Sequence, residues 1–255
     1  MTLPLSHIKV VEMTQGLAAP MTAMYLADQG AEVIKVESHE GDSSRGGSPG
    51  FQDAHPSLSL RILTYNRNKR AMVVDFTKPE GLEIIHRLLR QADVLVINVT
   101  MGARRRRGLT YEDLAVINPR LVYASITAYG DEGPEADLPG VDMNIQARSG
   151  DMAARRMPGS PPPGQTSLWH FDMSTAMLAF AAIMMALYER EFTGKGQRVE
   201  ANLLQSAMAL ETLQLTRAPG QARGYPAKSD NLPNHYLCSD GRYFYIGTGV
   251  ARWEV

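Results

Sequence analysis

Residues 8–37 read IKVVEMTQGLAAPMTAMYLADQGAEVIKVE, and this stretch decides the architecture. Ile8–Met13 is a short β-rich run. Thr14-Gln15-Gly16-Leu17 leads into a predicted helix over Ala19–Asp28, with Gly30 available as its C-cap. Glu32–Glu37 reads as a second strand. Strand, helix and strand in so short a span form a βαβ unit, which requires a parallel sheet. The loop after the first strand of such a unit is a usual ligand position. No G-x-G-x-x-G stands there, so no dinucleotide is implied.

The alternation continues outward from this unit. Ala71–Phe76 reads as a strand, and Pro79 starts a helix, as its fixed φ permits. Gly81–Gln91 is amphipathic at helical spacing. Ala92–Val99 is a nearly unbroken apolar strand of the buried parallel kind. Tyr111–Val116 reads as a short helix and Leu121–Ile126 as another strand. The expected fold is α/β: a Rossmann-like, doubly wound, mostly parallel sheet with helices on both faces. Ser38–Ser57 is a long polar segment rich in Gly, Ser and Asp, a length often functional or mobile.

Composition narrows the function classes. Of 255 residues, 44% are hydrophobic and 21% charged, an ordinary soluble globular balance. The net charge of −1 gives no reason to expect nucleic acid. The single cysteine, Cys238, cannot form an internal disulfide or a multi-cysteine metal site. His7, His39, His55, His86, His170 and His235 are scattered without metal-ligand spacing, so no metal is expected. MTLPLSHIKVVEM lacks the charged and apolar regions of a signal peptide, and a cytoplasmic location is expected.

Gly164–Val199 contains a carboxylate, Asp172, where a loop becomes a long apolar helix. Met173–Tyr188 carries no charge, a length marginal for a membrane span, and a buried core helix is expected with no membrane partner. Asp172 is placed to act as the helix N-cap, where the helix dipole favours its charged form. If the preceding residues form a strand, His170 points to the same side as Asp172. Gln197 to about Leu215 reads as a helix closing a large domain over residues 1–215. Residues 216–232 read as a Pro/Gly-containing linker, and residues 233–255 as the start of a small second domain. That start is a hairpin turning at Asp240-Gly241.

Six segments together carry a resemblance: GLAAPMTAMYLADQGAEVIKVE, NRNKRAMVVDFTKPEG, ADVLVINV, NPRLVYASITAYG, DMSTA from Asp172, and TGKGQRVEANLLQSA. In this order and spacing they resemble the class III CoA-transferases, the superfamily of formyl-CoA transferase, carnitine CoA-transferase and α-methylacyl-CoA racemase. The resemblance runs from about Leu5 to the C-terminus. It implies that Asp172 is a nucleophile and that coenzyme A moves from an acyl-CoA to a carboxylic acid through a covalent aspartyl intermediate. Coenzyme A and acyl-CoA are then substrates.

The resemblance also implies contacts to coenzyme A. These are Leu17 and Ala18 in the first loop, Ser38 after the second strand, and Val74, Asp75 and Thr77 beyond the third. Asn98, Val99 and Thr100 follow the fourth, although Ile97–Gly102 departs from the family's E-N-F-x-P-G. From charge pattern alone, Arg104–Arg107 is as readily a solvated face. The resemblance singles out Arg106 for a phosphate. Gly140, Val141 and Asp142 form the last cluster, with Asp142 directed at the pantetheine or acyl group, although a turn aspartate after Pro139-Gly140 is an equal reading. Racemase chemistry of the related kind requires a histidine where Val141 stands, and valine cannot move a proton. The other alternative is a non-catalytic or split CoA-binding subunit, encouraged by Phe171 where a glycine often precedes the nucleophile. The family's full-length assembly is a homodimer, so a homodimer or a second subunit is expected, with this chain a shortened or split member.

Overall fold

The computed structural model describes residues 2–46, 59–155, 168–216 and 234–246. These residues divide into two compact units, Met1–Glu211 and Thr212–Val255. In chain order the first unit contains β1 (Lys9–Met13), α1 (Ala18–Asp28), β2 (Glu32–Glu37), α2 (Leu60–Tyr65), β3 (Arg70–Val73) and α3 (Pro79–Leu89). Then come β4 (Val94–Ile97), α4 (Met101–Arg107), α5 (Tyr111–Ile117), β5 (Val122–Thr127), α6 (Asp142–Ser149) and α7 (Asp151–Ala154). The long helix α8 (His170–Thr193), β6 (Arg198–Asn202) and α9 (Leu203–Leu210) complete it.

The six strands form one parallel sheet in the order β3-β2-β1-β4-β5-β6. Val11 lies beside Ile34 on one side and Leu95 on the other. Side chains alternate between the two faces of each strand. Val10, Val94, Val96 and Val122 therefore pack with Ala23 and Leu26 of α1, Ile183 of α8 and Ala207 of α9. Val11, Leu95, Ile97 and Tyr123 pack on the opposite face with Ile85 and Leu89 of α3 and Leu114 of α5. The four residues of β4 are all buried, which is why this central strand reads as an unbroken apolar run.

Three expectations are corrected. Residues 198–202 are not helical. They form β6, which pairs with β5 from Tyr123↔Arg198 to Thr127↔Asn202. Glu, Ala and Gln favour helix locally, but an open sheet edge supplies backbone partners that outweigh that preference. Gly196 permits the approach, since a Cβ there would stand 2.1 Å from the Leu121 carbonyl oxygen. The helix begins only at Leu203, where the Asn202 side chain accepts from the Gln205 N–H at 2.7 Å. The third predicted strand ends early, at Val73, because Asp75 turns the chain toward α3. Finally, α8 is long and apolar enough to cross a membrane by length and composition, yet it buries only one face in the core. Phe171, Thr175, Ala179, Ile183 and Leu187 face inward, while Met177, Leu178, Met185, Tyr188 and Phe192 are exposed.

The second unit contains α10 (Thr212–Leu215) and the antiparallel pair β7 (Asn234–Leu237) and β8 (Tyr243–Ile246). Gly241 takes φ 81° in the turn, and the Cys238 N–H donates to the Arg242 carbonyl at 2.8 Å. The linker expected at residues 216–232 lies, beyond Thr216, outside the described residues.

Candidate active site

A cavity of about 850 Å³ opens at the C-terminal ends of the strands, where β1, β2, β4 and β5 run into their loops. That is the usual ligand position in an open α/β sheet. Leu17, Ala18, Ser38 and Asp172 line it. So do Asn98, Val99, Thr100, Gly140, Val141 and Asp142. A second cavity, of about 350 Å³, lies at the N-terminal ends of β1 and β2 and is walled by Val10, Ile34, Ile84 and Leu88.

Asp172 does not cap its helix. It sits inside the first turn of α8, and the residue before the helix is Trp169, held at φ 39° in the left-handed region. The cap comes from elsewhere in the chain. Asp142, buried at the start of α6, accepts through Oδ2 from the Phe171 N–H at 2.8 Å and the Asp172 N–H at 2.9 Å. Its Oδ1 accepts from the buried Gln146 side chain. The Asp172 carboxylate is thereby released from local duty. The N–H of Ala18, the first residue of α1, pulls it toward its charged form. Burial, and then the charge of Asp142, push the Asp172 carboxyl up to about 7, against the opposing pull of the Ala18 N–H.

His170 begins α8, so the strand geometry that would align it with Asp172 does not arise. Residues two apart on a helix point in different directions. Its Nε2 lies 3.7 Å from Asp151 Oδ1.

The arginine run resolves into different environments. Arg104 is fully buried and donates to Ser125 Oγ at 2.7 Å, Asp131 Oδ1 at 3.1 Å and the Tyr123 hydroxyl at 3.3 Å. Its Nε also holds the Val99 carbonyl, which anchors the loop after β4. Arg106 is exposed and stands outside the cavity wall. Arg107 is the arginine of this run that lines the cavity, with its guanidinium 5.7 Å from the centre of the Phe76 ring. Thr100, Ala103 and Arg107 share one face of α4 at spacings of three and four, and that helical period is the signal that could have selected Arg107.

Val74, Asp75 and Thr77 also fall outside the cavity wall, and Phe76 between them lies in it. Asp75 accepts from the Thr77 N–H and hydroxyl in a local turn. Asn98 exchanges two hydrogen bonds with the Gln15 backbone, at 3.0 and 2.8 Å, and so ties the first ligand loop to β4. Arg61, Tyr65 and Trp169 complete the wall and went unread in the sequence. Among the described residues, no group of three or more His, Cys, Asp or Glu side chains could hold a metal ion.

Comparison with known proteins agrees with the fold. The family model described as CoA-transferase family III matches residues 5–253, and the chain belongs to that family. It is 39% identical over 205 residues to a succinate–glutarate CoA-transferase of Agrobacterium fabrum, covering 79% of this chain and 51% of that protein. It is 34% identical over 250 residues to an (R)-2-hydroxy-4-methylpentanoate CoA-transferase of Clostridioides difficile, covering 95% of this chain and 62% of that one. The chain thus spans about half to three fifths of the length of these curated relatives. The crystal structure of a CAIB/BAIF family protein from Brucella suis superimposes with a TM-score of 0.81 at 35% identity, covering 98% of this chain and 67% of that one.

Proposed function

We propose that the protein moves coenzyme A from an acyl-CoA to a carboxylic acid, with Asp172 as the nucleophile. The observation that carries this reading is the Asp172 carboxylate itself. It lies in the cavity wall at the start of α1, freed from capping by Asp142 and raised in basicity by burial. A carboxylate becomes an effective nucleophile when it is positioned and desolvated.

In the first step an Asp172 oxygen attacks the thioester carbonyl carbon. The C–S bond breaks, the coenzyme A thiolate leaves, and a mixed anhydride joins Asp172 to the acyl group. The thiolate then attacks the Asp172 carbonyl carbon, releasing the donor acid and leaving Asp172 as a coenzyme A thioester. The acceptor carboxylate attacks that thioester and expels the thiolate again. Attack of the thiolate on the acceptor acyl carbon delivers the new acyl-CoA and restores the carboxylate. No net proton is taken up or released. Arg107 and the N–H groups of the first loop are proposed to hold the coenzyme A moiety, while Asn98 and Arg104 keep the loops in place. A homodimer or a second polypeptide as the working assembly, and the cytoplasm as its compartment, belong to the same reading.

The test is covalent trapping. The protein is incubated with an acyl-CoA, quenched, digested and weighed by mass spectrometry. The expected result is a coenzyme A or acyl adduct on the Asp172 peptide, absent from Asp172→Asn. Turnover without an adduct, or an adduct on another residue, would overturn the assignment.

A further inference from the structure

Arg61 and Tyr65 stand one turn apart on α2, a spacing that puts both on one face of the helix. Both line the cavity together with Trp169 and Asp172. The Arg61 guanidinium lies over the Trp169 ring, 5.0 Å from its centre. Trp169 precedes the first turn of α8, the turn that carries Asp172. Tyr65 feels the charges of both Arg61 and Asp172, which act on its hydroxyl in opposite senses.

Arg107 on α4 is the cavity arginine assigned above to the coenzyme A moiety, and other basic side chains around this end of the sheet are occupied. Arg45 is held by both oxygens of Glu37, at 2.7 and 2.6 Å. Lys35 is paired with Glu12 and Asp42, and Lys69 with Glu12. Arg61 has an aromatic platform and, among the described residues, no carboxylate partner. A guanidinium keeps its charge at any working pH, stacks on aromatic rings and matches a carboxylate with two parallel N–H donors.

We propose that Arg61, seated on Trp169 and flanked by Tyr65, binds a second carboxylate carried by the acyl group, so that the site selects dicarboxylic acids and their mono-coenzyme A thioesters. This rests on the transferase reading above. The reacting carboxylate is a poor partner for Arg61. It loses its charge on becoming an anhydride or thioester, so a firm ion pair there would stabilise the free acid over every later species. A distal carboxylate keeps its charge through all the steps, and its pairing helps each of them equally. A phosphate of coenzyme A is also a poor partner. The pantetheine arm separates the phosphates from the sulfur that must meet Asp172, and Arg61 stands at the Asp172 end.

The experiment compares acceptors of matched length with the whole protein as catalyst, glutarate against valerate with succinyl-CoA as donor, and succinate against butyrate with glutaryl-CoA as donor. Wild type is expected to prefer the dicarboxylates. In Arg61→Met, which keeps an unbranched apolar stem over Trp169, the ratio of kcat/KM for glutarate over valerate should fall about ten- to a hundredfold. The loss should lie mainly in KM for glutarate, and Arg61→Lys should recover part of it. An unchanged ratio in Arg61→Met overturns the proposal. So does a wild type that uses valerate as well as glutarate, or one that forms the Asp172 adduct yet transfers to neither dicarboxylate. A wild type that forms no adduct and transfers to no acid overturns the transferase reading itself, and this proposal with it.

Discussion

Lys35 and Lys69 bring a cation to the buried carboxylates of Glu12 and Asp42, at 2.8 to 2.9 Å, whereas Asp142 and Asp172 adjoin each other with backbone N–H groups and Gln146 as their partners. Both groups lie near the same end of the sheet. In the first, burial opposes ionisation of Asp42, but the Lys35 charge and the hydrogen bonds from Lys35 and Ser44 hold its carboxyl below the ordinary range. Lys69 shows the cost on the other partner: burial takes it down to about 8 despite the Glu12 charge beside it. In the second group no cation offsets burial, and Asp172 rises to about 7. Burial opposes ionisation of both carboxylates, yet their acidities shift in opposite directions, and the neighbours decide which. Matched charge ties β1 and β2 to the segments that follow β2 and precede β3. Unmatched charge destabilises the fold and leaves a basic carboxylate facing the cavity.

The sharpest way to break this comparison is Asp172→Asn. Transfer should fall by about a thousandfold or more, the scale seen when a nucleophile is removed. Stability should move the other way. A carboxyl whose folded pKa is raised favours the fold while it is protonated, and that contribution is lost as pH rises from the ordinary carboxylate range through about 7. The variant should therefore gain about 2–4 °C in Tm at pH 8 and nothing at pH 4. A lower Tm at pH 8 would show that Asp172 is matched by partners after all.

Lys35→Met attacks the other group. It strands Glu12 and Asp42 in the interior, and removing one member of a buried pair typically costs about 3–5 kcal/mol. Chemical denaturation would measure it. A loss under about 1 kcal/mol would mean that Lys69 alone satisfies both carboxylates.

Asp142 supplies the smallest and most informative pair of changes. Asp142→Ala removes a helix cap and should cost about 1–2 kcal/mol. Asp142→Asn retains an acceptor oxygen for the N–H groups of Phe171 and Asp172 but deletes the charge that raises Asp172. In wild type, kcat/KM should rise with pH through about 7 as Asp172 ionises. In Asp142→Asn that rise should shift to lower pH. A pH–rate profile that does not move would assign the raised pKa to burial alone.

Much of the fold was legible because its signals are local. The unit from β1 to β2 and the buried strand β4 follow from apolar period and turn residues within a few positions. β6 was not legible, because Arg198–Asn202 is a strand only in the presence of β5. Asp172 was visible in the site, as were the loops holding Leu17, Asn98 and Gly140. The four arginines were not separable, since their neighbours in sequence are one another while their neighbours in space are Asp131, solvent and Phe76. Arg61 and Tyr65 went unread for a similar reason: α2 is a six-residue helix whose cavity-facing side is set by what it packs against.

A parallel α/β sheet, and an aspartate standing where a long apolar helix begins, both follow from the order of residues alone. Both rest on patterns read within one element, where backbone geometry fixes which residues share a face. What that aspartate is free to do depends on contacts between distant segments. The N–H groups of Phe171 and Asp172 need an acceptor, and it comes from Asp142, 29 and 30 positions away. The Asp172 carboxylate in turn meets Ala18 at the start of a different helix. Hydrogen bonding and desolvation act between groups adjacent in space, so the acidity of Asp172 emerged only once α1, α6 and α8 had been brought together on the sheet.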